Sequence, residues 1–145
     1  MANPYHHSLS SVKKWGGVVE DYIAIHDWFD ASKAFYGDFR HRALRHHAQG
    51  IYECEREFGH TITLSNGRVI PTRWIGEQHV REDCGHIPSL QDWLSKIRPE
   101  PWMNQPIKIE RELENAQRNE LEGSGSRQEK EPQNETTESR TLQTI

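Results

Sequence analysis

Every Trp, Tyr, Phe and His of the chain lies between residues 5 and 102, so whatever folds is built from about a hundred residues. A stretch without aromatic and aliphatic side chains cannot offset the conformational entropy of ordering its backbone. The hydrophobic share of the whole chain, 33%, and its mean hydropathy of −0.94 are accordingly low for a protein folded from end to end. Charge divides at nearly the same place. Residues 1–109 carry 13 basic and 13 acidic side chains, whereas residues 110–145 carry 5 and 9, so the net charge of −4 resides wholly in the tail. We expect a folded domain over residues 1–109 and a polar, acidic, disordered tail over 110–145. A domain of that size has little interior, and each polar group placed inside it must be satisfied.

Glycines punctuate the folded part. The opening MANPYHHSLSSVKKW reads as an extended lead-in followed by a short helical turn, with Ser8 or Ser10 available as a cap, before Gly16 and Gly17 interrupt. Helical spacing then runs from about Val18 to Tyr36 and stops at Gly37. Asp38 is a natural cap for a second long helix reaching Phe58 and ending at Gly59, and two helices joined so closely predict an antiparallel hairpin. In TITLSNGRVIP the pattern switches to alternation around Asn66-Gly67, the strongest short signal for a β-hairpin. Such a ribbon must lie on the helices, because two strands do not stand alone. A third helix is expected from Pro71 or Thr72 to Gly85, and a fourth, SLQDWLSKI, after Pro88. IKIERELENAQRNELEG can extend as a polar helix; GSGSRQEKEPQNETTESRTLQTI reads as disordered. The fold class is therefore mainly α with a small β-hairpin, in one helical domain.

Composition excludes several classes. Cys54 and Cys84 are too few for a disulfide framework or a four-cysteine zinc site, and read as small buried thiols. No run approaches the 18 apolar residues of a membrane span, and no secretory signal opens the chain, so a cytoplasmic protein without a membrane partner is expected.

The informative residues are polar ones on apolar helix faces. On a wheel of the first long helix, Val18, Val19, Tyr22, Ile25, Phe29 and Tyr36 share one face, and His26, Asp30 and Lys33 fall on it. On the second, Leu44, Ile51, Cys54 and Phe58 form a stripe with His47 at its centre and Arg40 at its start. Arg42, Arg45 and His46 are expected to face outward. In the third helix either choice of buried side brings an acid with it: Glu77 on one, His79 and Asp83 on the other.

Imidazoles and carboxylates converging from separate helices suit a divalent transition metal, zinc, manganese, iron or nickel. His26, Asp30 and His47 are the first candidate ligands, with Glu77, His79 or Asp83 completing the shell. A hydrolase acting on a phosphate ester or nucleotide would then use a metal-activated water, with Lys33 or Arg40 steadying the developing negative charge. The alternative is a non-enzymatic interaction module. In it the buried His, Asp and Lys form a structural network, and Arg42, Arg45 and His46 present an outer face to a protein or nucleic-acid partner. The neutral folded part and acidic tail disfavour the nucleic-acid version.

Two resemblances bear on these readings. HDWFDASK followed by RHRALRHHAQG loosely resembles the HD-type metal-dependent phosphohydrolases, which implies His26 and Asp27 as a metal-holding pair and His47 as a later ligand. NPYHHSLSSVKKWGG, DFRHRALRHHAQGI, IGEQHVRED and IPSLQDWL together are similar, over about residues 3–103, to an uncharacterised domain family of bacteria and their phages. That resemblance implies a single domain and no particular chemistry.

Overall fold

The computed structural model describes residues 2–125. The described residues up to Arg98 form one compact unit, and those from Pro99 onward form a separate one. The first unit begins with helix α1, Pro4–Trp15, which starts earlier than the expected extended lead-in allows. The cause is local. The Asn3 side chain accepts a hydrogen bond from the His6 amide, and Pro4 occupies the first helical turn, where its missing N–H costs nothing.

The long helix expected over Val18–Tyr36 is instead three pieces: a 3-10 turn at Val19–Asp21, helix α2 at Ile23–Asp30, and a 3-10 turn at Ala31–Ala34. Asp21 is diverted from helical pairing, since its carboxylate accepts from Val18 N at 2.9 Å and from Ser65 N and Oγ at 3.0 and 2.8 Å. The next expected helix is also broken. Phe39–Leu44 forms a 3-10 helix capped by Asp38, and helix α3 starts only at Ala48 and runs to Phe58. Between them the backbone folds back on itself so closely that a Cβ on Gly50 would stand 1.8 Å from the carbonyl oxygen of Arg45. Gly50 is what permits that crossing.

Strands β1, Thr61–Thr63, and β2, Val69–Pro71, pair antiparallel with Ile62 opposite Ile70, as the Asn66-Gly67 turn predicts. Helix α4 runs Thr72–Cys84 and ends on Gly85 at φ 77°, a left-handed position that suits glycine. Helix α5, Leu90–Leu94, is shorter than expected and opens on a reciprocal Ser89–Asp92 capping box. Helix α2 packs against α1 and α4, and α4 packs against α3. The apolar core joins Tyr22, which precedes α2, and Ile25 and Phe29 of α2 to Ile51 and Cys54 of α3, Leu64 and Ile70 of the hairpin region, and Ile75 and Val80 of α4. The result is the mainly helical fold with one small hairpin that the sequence implies.

In the second unit, a 3-10 turn at Pro101–Asn104 precedes helix α6, Ile107–Gly125, whose Ile109, Leu113 and Leu121 are exposed. Of the tail expected to be disordered over residues 110–145, residues 110–125 belong to helix α6, and residues 126–145 lie outside the described residues. Among the described residues no helix is long and apolar enough to cross a membrane. Both cysteines are free. Cys54 is buried, and burial pushes its thiol up to about 12, which removes it from thiolate chemistry at neutral pH.

Candidate metal centre

Six histidines are at most 1% exposed: His7, His26, His41, His46, His47 and His79. Their placement follows from the helix breaks. Helix α2 turns His26 and Asp30 inward together, four residues apart, and α4 does the same with His79 and Asp83. Of the two sides open to α4, the one carrying Ile75, His79 and Asp83 is therefore the buried one, while Glu77 is half-buried and joins none of the contacts below. The bend at residues 45–47 brings His46 in from a third direction, and the Trp93 indole N–H holds the His46 carbonyl at 2.9 Å.

Four side-chain atoms from these elements converge. His46 Nε2 lies 2.9 Å from Asp83 Oδ2, 3.1 Å from His79 Nε2 and 3.6 Å from Asp30 Oδ1. His79 Nε2 lies 3.3 Å from Asp83 Oδ2 and 3.4 Å from Asp30 Oδ1. All four atoms stand within 4.8 Å of one another, so the group can hold a metal ion. Donors bonded to one ion at about 2.0–2.2 Å must stand roughly 2.9–3.6 Å apart, depending on coordination number. The five separations above fall in that window.

Each ligand's other end is already engaged or turned away. Asp83 Oδ1 faces His7 Nε2 at 3.2 Å and Arg42 Nη2 at 3.5 Å, and Asp30 Oδ2 faces Lys33 Nζ at 3.6 Å. Each carboxylate thus keeps one oxygen for the centre and gives the other to cations, the pattern by which an outer shell orients metal ligands. For Asp83, burial opposes the charge, but the surrounding His46, His7 and His79 imidazoles outweigh it and hold the carboxyl far below the usual range. Asp30 is likewise lowered against burial by His79 and Lys33. Burial pushes His46 down to about 4 in spite of Asp83, so it is a neutral donor at physiological pH.

Hydrogen bonding assigns the tautomer of His79. Gln78 Nε2 donates to the His7 carbonyl at 2.9 Å and to Glu82 Oε1 at 2.6 Å, which leaves Gln78 Oε1 as the acceptor for Ser11 Oγ at 2.7 Å. With its hydrogen so used, Ser11 Oγ accepts from His26 Nε2 at 2.8 Å, and the bare His26 Nδ1 accepts from His79 Nδ1 at 2.9 Å. Burial, with His79 and His7 nearby, pushes His26 down to about 2, consistent with this neutral role. His79 Nδ1 therefore carries a hydrogen, and its Nε2 lone pair points between two carboxylates and a third imidazole. Such an arrangement can take a metal ion or an added proton; with neither, the hydrogen it needs comes from His46 Nε2, 3.1 Å away.

A second group, His7, His26 and His79, also offers nitrogens within 4.8 Å of one another. Its ring geometry does not suit an ion. His26 and His79 meet nitrogen to nitrogen in a hydrogen bond, while His7 lies over His79 with ring centroids 4.0 Å apart. Lone pairs lie in the ring plane, so stacked rings cannot aim theirs at one point. His7 instead faces Glu82 Oε1 at 3.1 Å and Asp83 Oδ1 at 3.2 Å. Burial works against its charge, but these two carboxylates outweigh burial and raise its pKa above the ordinary value.

The remaining expected site residues divide as follows. His47 is buried but spent at both nitrogens, since Nδ1 accepts from Gly50 N at 2.9 Å and Nε2 donates to the Ala43 carbonyl at 3.1 Å. It caps α3 and does not join His26 and Asp30. His46 takes the inward place that the wheel gave to His47, because the break before Ala48 resets the helical phase. Arg42 also turns inward, donating to the Asp83 carbonyl at 3.2 Å, and Arg45 donates to the Trp28 carbonyl and stacks on the Trp28 ring at 4.1 Å. The expected outer face of Arg42, Arg45 and His46 is thus mostly consumed internally. Arg40 sits at the surface, paired with Asp38 and stacked over Tyr36, away from the centre. Lys33 remains at its edge.

Over residues 2–103 the sequence matches the family model for a domain of unknown function, DUF6915. The chain belongs to this family. No curated protein and no solved structure matches it. Nothing supports the resemblance to HD phosphohydrolases, and in this DUF6915 domain Asp27, which that pattern would pair with His26, is exposed. Missed by sequence reasoning were His7, Ser11 and Gln78. The Asn3-Pro4 pair, a cap followed by a first-turn proline, was the available signal that α1 begins early enough to bring His7 and Ser11 inward.

Proposed function

We propose that this protein binds one divalent transition metal through Asp30, His46, His79 and Asp83. The observation that carries the reading is the set of separations among these four atoms, 2.9–3.6 Å in the five pairs given above. Two imidazole nitrogens and two carboxylate oxygens with no thiolate favour zinc, manganese, iron or nickel over softer ions. Two carboxylates also attract a divalent ion into a site whose Asp30, His46 and His79 are at most 7% exposed.

The catalytic extension is hydrolysis of a phosphate ester or nucleotide. A bound divalent ion would lower the pKa of water and polarise a phosphoryl oxygen. Lys33, beside Asp30, rather than the distant Arg40, would steady negative charge there, together with Arg42 beside Asp83.

A second reading is favoured by the same tautomer argument, because a proton on His79 Nε2 also satisfies two carboxylates. In that case the cluster is a structural imidazolium network within an interaction module. Elemental analysis of purified protein separates the two. The metal reading expects about one transition-metal ion per chain and a lower melting temperature after chelation. Absence of bound metal, together with unaltered melting after chelation and after incubation with zinc or manganese, refutes it.

A further inference from the structure

Among the described residues, six buried side-chain polar atoms have no hydrogen-bond partner, and four of them belong to side chains at or beside the centre: Asp30 Oδ2, His41 Nε2, Arg42 Nε and His46 Nδ1. Such clustering asks for one cause. The group is contiguous, for the His41 and His46 rings meet edge to face with centroids 5.5 Å apart, while Lys33 and Arg42 reach the two carboxylates.

Three of the four atoms are donors once the centre is filled. Ser32 Oγ lies nearer to His41 Nδ1, at 2.8 Å, than to the carbonyls of His41 and Phe29, at 3.2 and 3.4 Å. Where its hydrogen goes to Nδ1 rather than to a carbonyl, neutral His41 carries its own hydrogen on Nε2. Burial lowers the His41 pKa, which keeps it neutral. With Nε2 given to an ion, His46 holds its hydrogen on Nδ1, and Arg42 Nε is a donor in every state. Buried donors without acceptors are costly, and three together call for a common acceptor.

Charge names its class. At the centre Asp30 and Asp83 are balanced by Lys33 and Arg42. A divalent ion therefore leaves two uncompensated positive charges in a poorly solvated place. Water satisfies donors but not charge; an oxyanion bearing two negative charges satisfies both. The approach from solvent runs past Lys33, whose side chain is 35% exposed against 15% for Arg42 and 3% for Asp83.

We propose that Lys33, His41 and Arg42 form a subsite for the doubly charged phosphate group, free or as a monoester, beside the metal centre on which this inference rests. Calorimetric titration of inorganic phosphate into protein loaded with cobalt(II), its metal content measured in the same sample, tests it. The expected result is saturable binding of one phosphate per chain in loaded protein and none in chelated protein. Lys33→Met and His41→Phe should each weaken that binding at least tenfold while cobalt stays at one per chain. Lys33 is half-exposed, so its variant keeps the test open even where the His41 variant fails to fold. Methyl phosphate, titrated the same way, separates a site for free phosphate from one open to esters, and saturable binding of either supports the subsite. Loaded protein that binds neither, or that binds them equally well in both variants, overturns the subsite and leaves water as the occupant. Protein that takes up no cobalt overturns the centre itself.

Discussion

Helices α2 and α4 each serve two interiors at once. Ile25 and Phe29 of α2, with Ile75 and Val80 of α4, enter the apolar core, while His26 and Asp30, each one residue further on, and His79, one residue before Val80, enter the polar cluster. Phe29 marks the boundary, its ring stacked on His79 with centroids 4.8 Å apart. The apolar side is stabilised by area removed from water, which is non-directional and tolerant of small changes in shape. The polar side is stabilised only while each donor meets an acceptor and each charge a countercharge, so it depends on stoichiometry. The two halves of one small core should therefore fail in different ways.

The sharpest contrast comes from deleting a charge. Asp83→Ala leaves His7, Arg42, His46 and His79 facing one another, and should cost about 3–5 kcal/mol of stability together with all bound metal. Urea unfolding and elemental analysis read the two effects. Next in size is a change that touches no ligand. A Cβ at Gly50 would press on the Arg45 carbonyl, so Gly50→Ala should displace the 45–47 bend, cost about 1–3 kcal/mol and weaken metal binding by moving His46. A variant as stable and as metal-loaded as the parent would show that the bend does not place the site.

Proton linkage addresses the polar side alone. His26 and His46 have folded pKa values near 2 and 4, below their ordinary 6.5, so the unfolded chain binds protons that the folded chain does not. Stability from these two is present above pH 6.5 and is lost as pH falls towards the folded values, at about 1.4 kcal/mol per pH unit for each proton. His7 is raised and acts oppositely, contributing below pH 6.5 and losing that contribution as pH rises through its folded value. Asp30 and Asp83, both lowered, add their loss only below about pH 4. Chelated protein should thus melt at lower temperature at pH 5 than at pH 7, and a flat profile would contradict the buried neutral histidines. On the apolar side, Ile75→Val should cost only about 0.5–1.5 kcal/mol and leave metal content unchanged. Arg40→Ala, at the surface, should change neither melting nor metal content.

Legibility in the sequence followed the same division. The hairpin at Asn66-Gly67, the span of α4 and its stop at Gly85 were readable because turn chemistry is local. His26 and Asp30 were readable as inward because α2 keeps a true helical phase across them. His46 and His47 exchanged roles because phase was lost at residues 45–47, where the close approach of Gly50 to Arg45 is a tertiary event that periodicity cannot register. The buried side of α4 was undecided because both sides carry an acid, and only the partners in α2 and the bend choose Asp83 over Glu77. Lys33 was correctly set beside Asp30, whereas Arg40 was drawn off by Asp38, two residues away.

The central claim is the identity of the four ligands, and X-ray absorption on metal-loaded protein reads it most directly. The account predicts nitrogen and oxygen donors at about 2.0–2.2 Å, scattering from two imidazole rings, and no sulfur. A spectrum with three imidazoles, one with a sulfur neighbour, or a protein that cannot be loaded at all would contradict it.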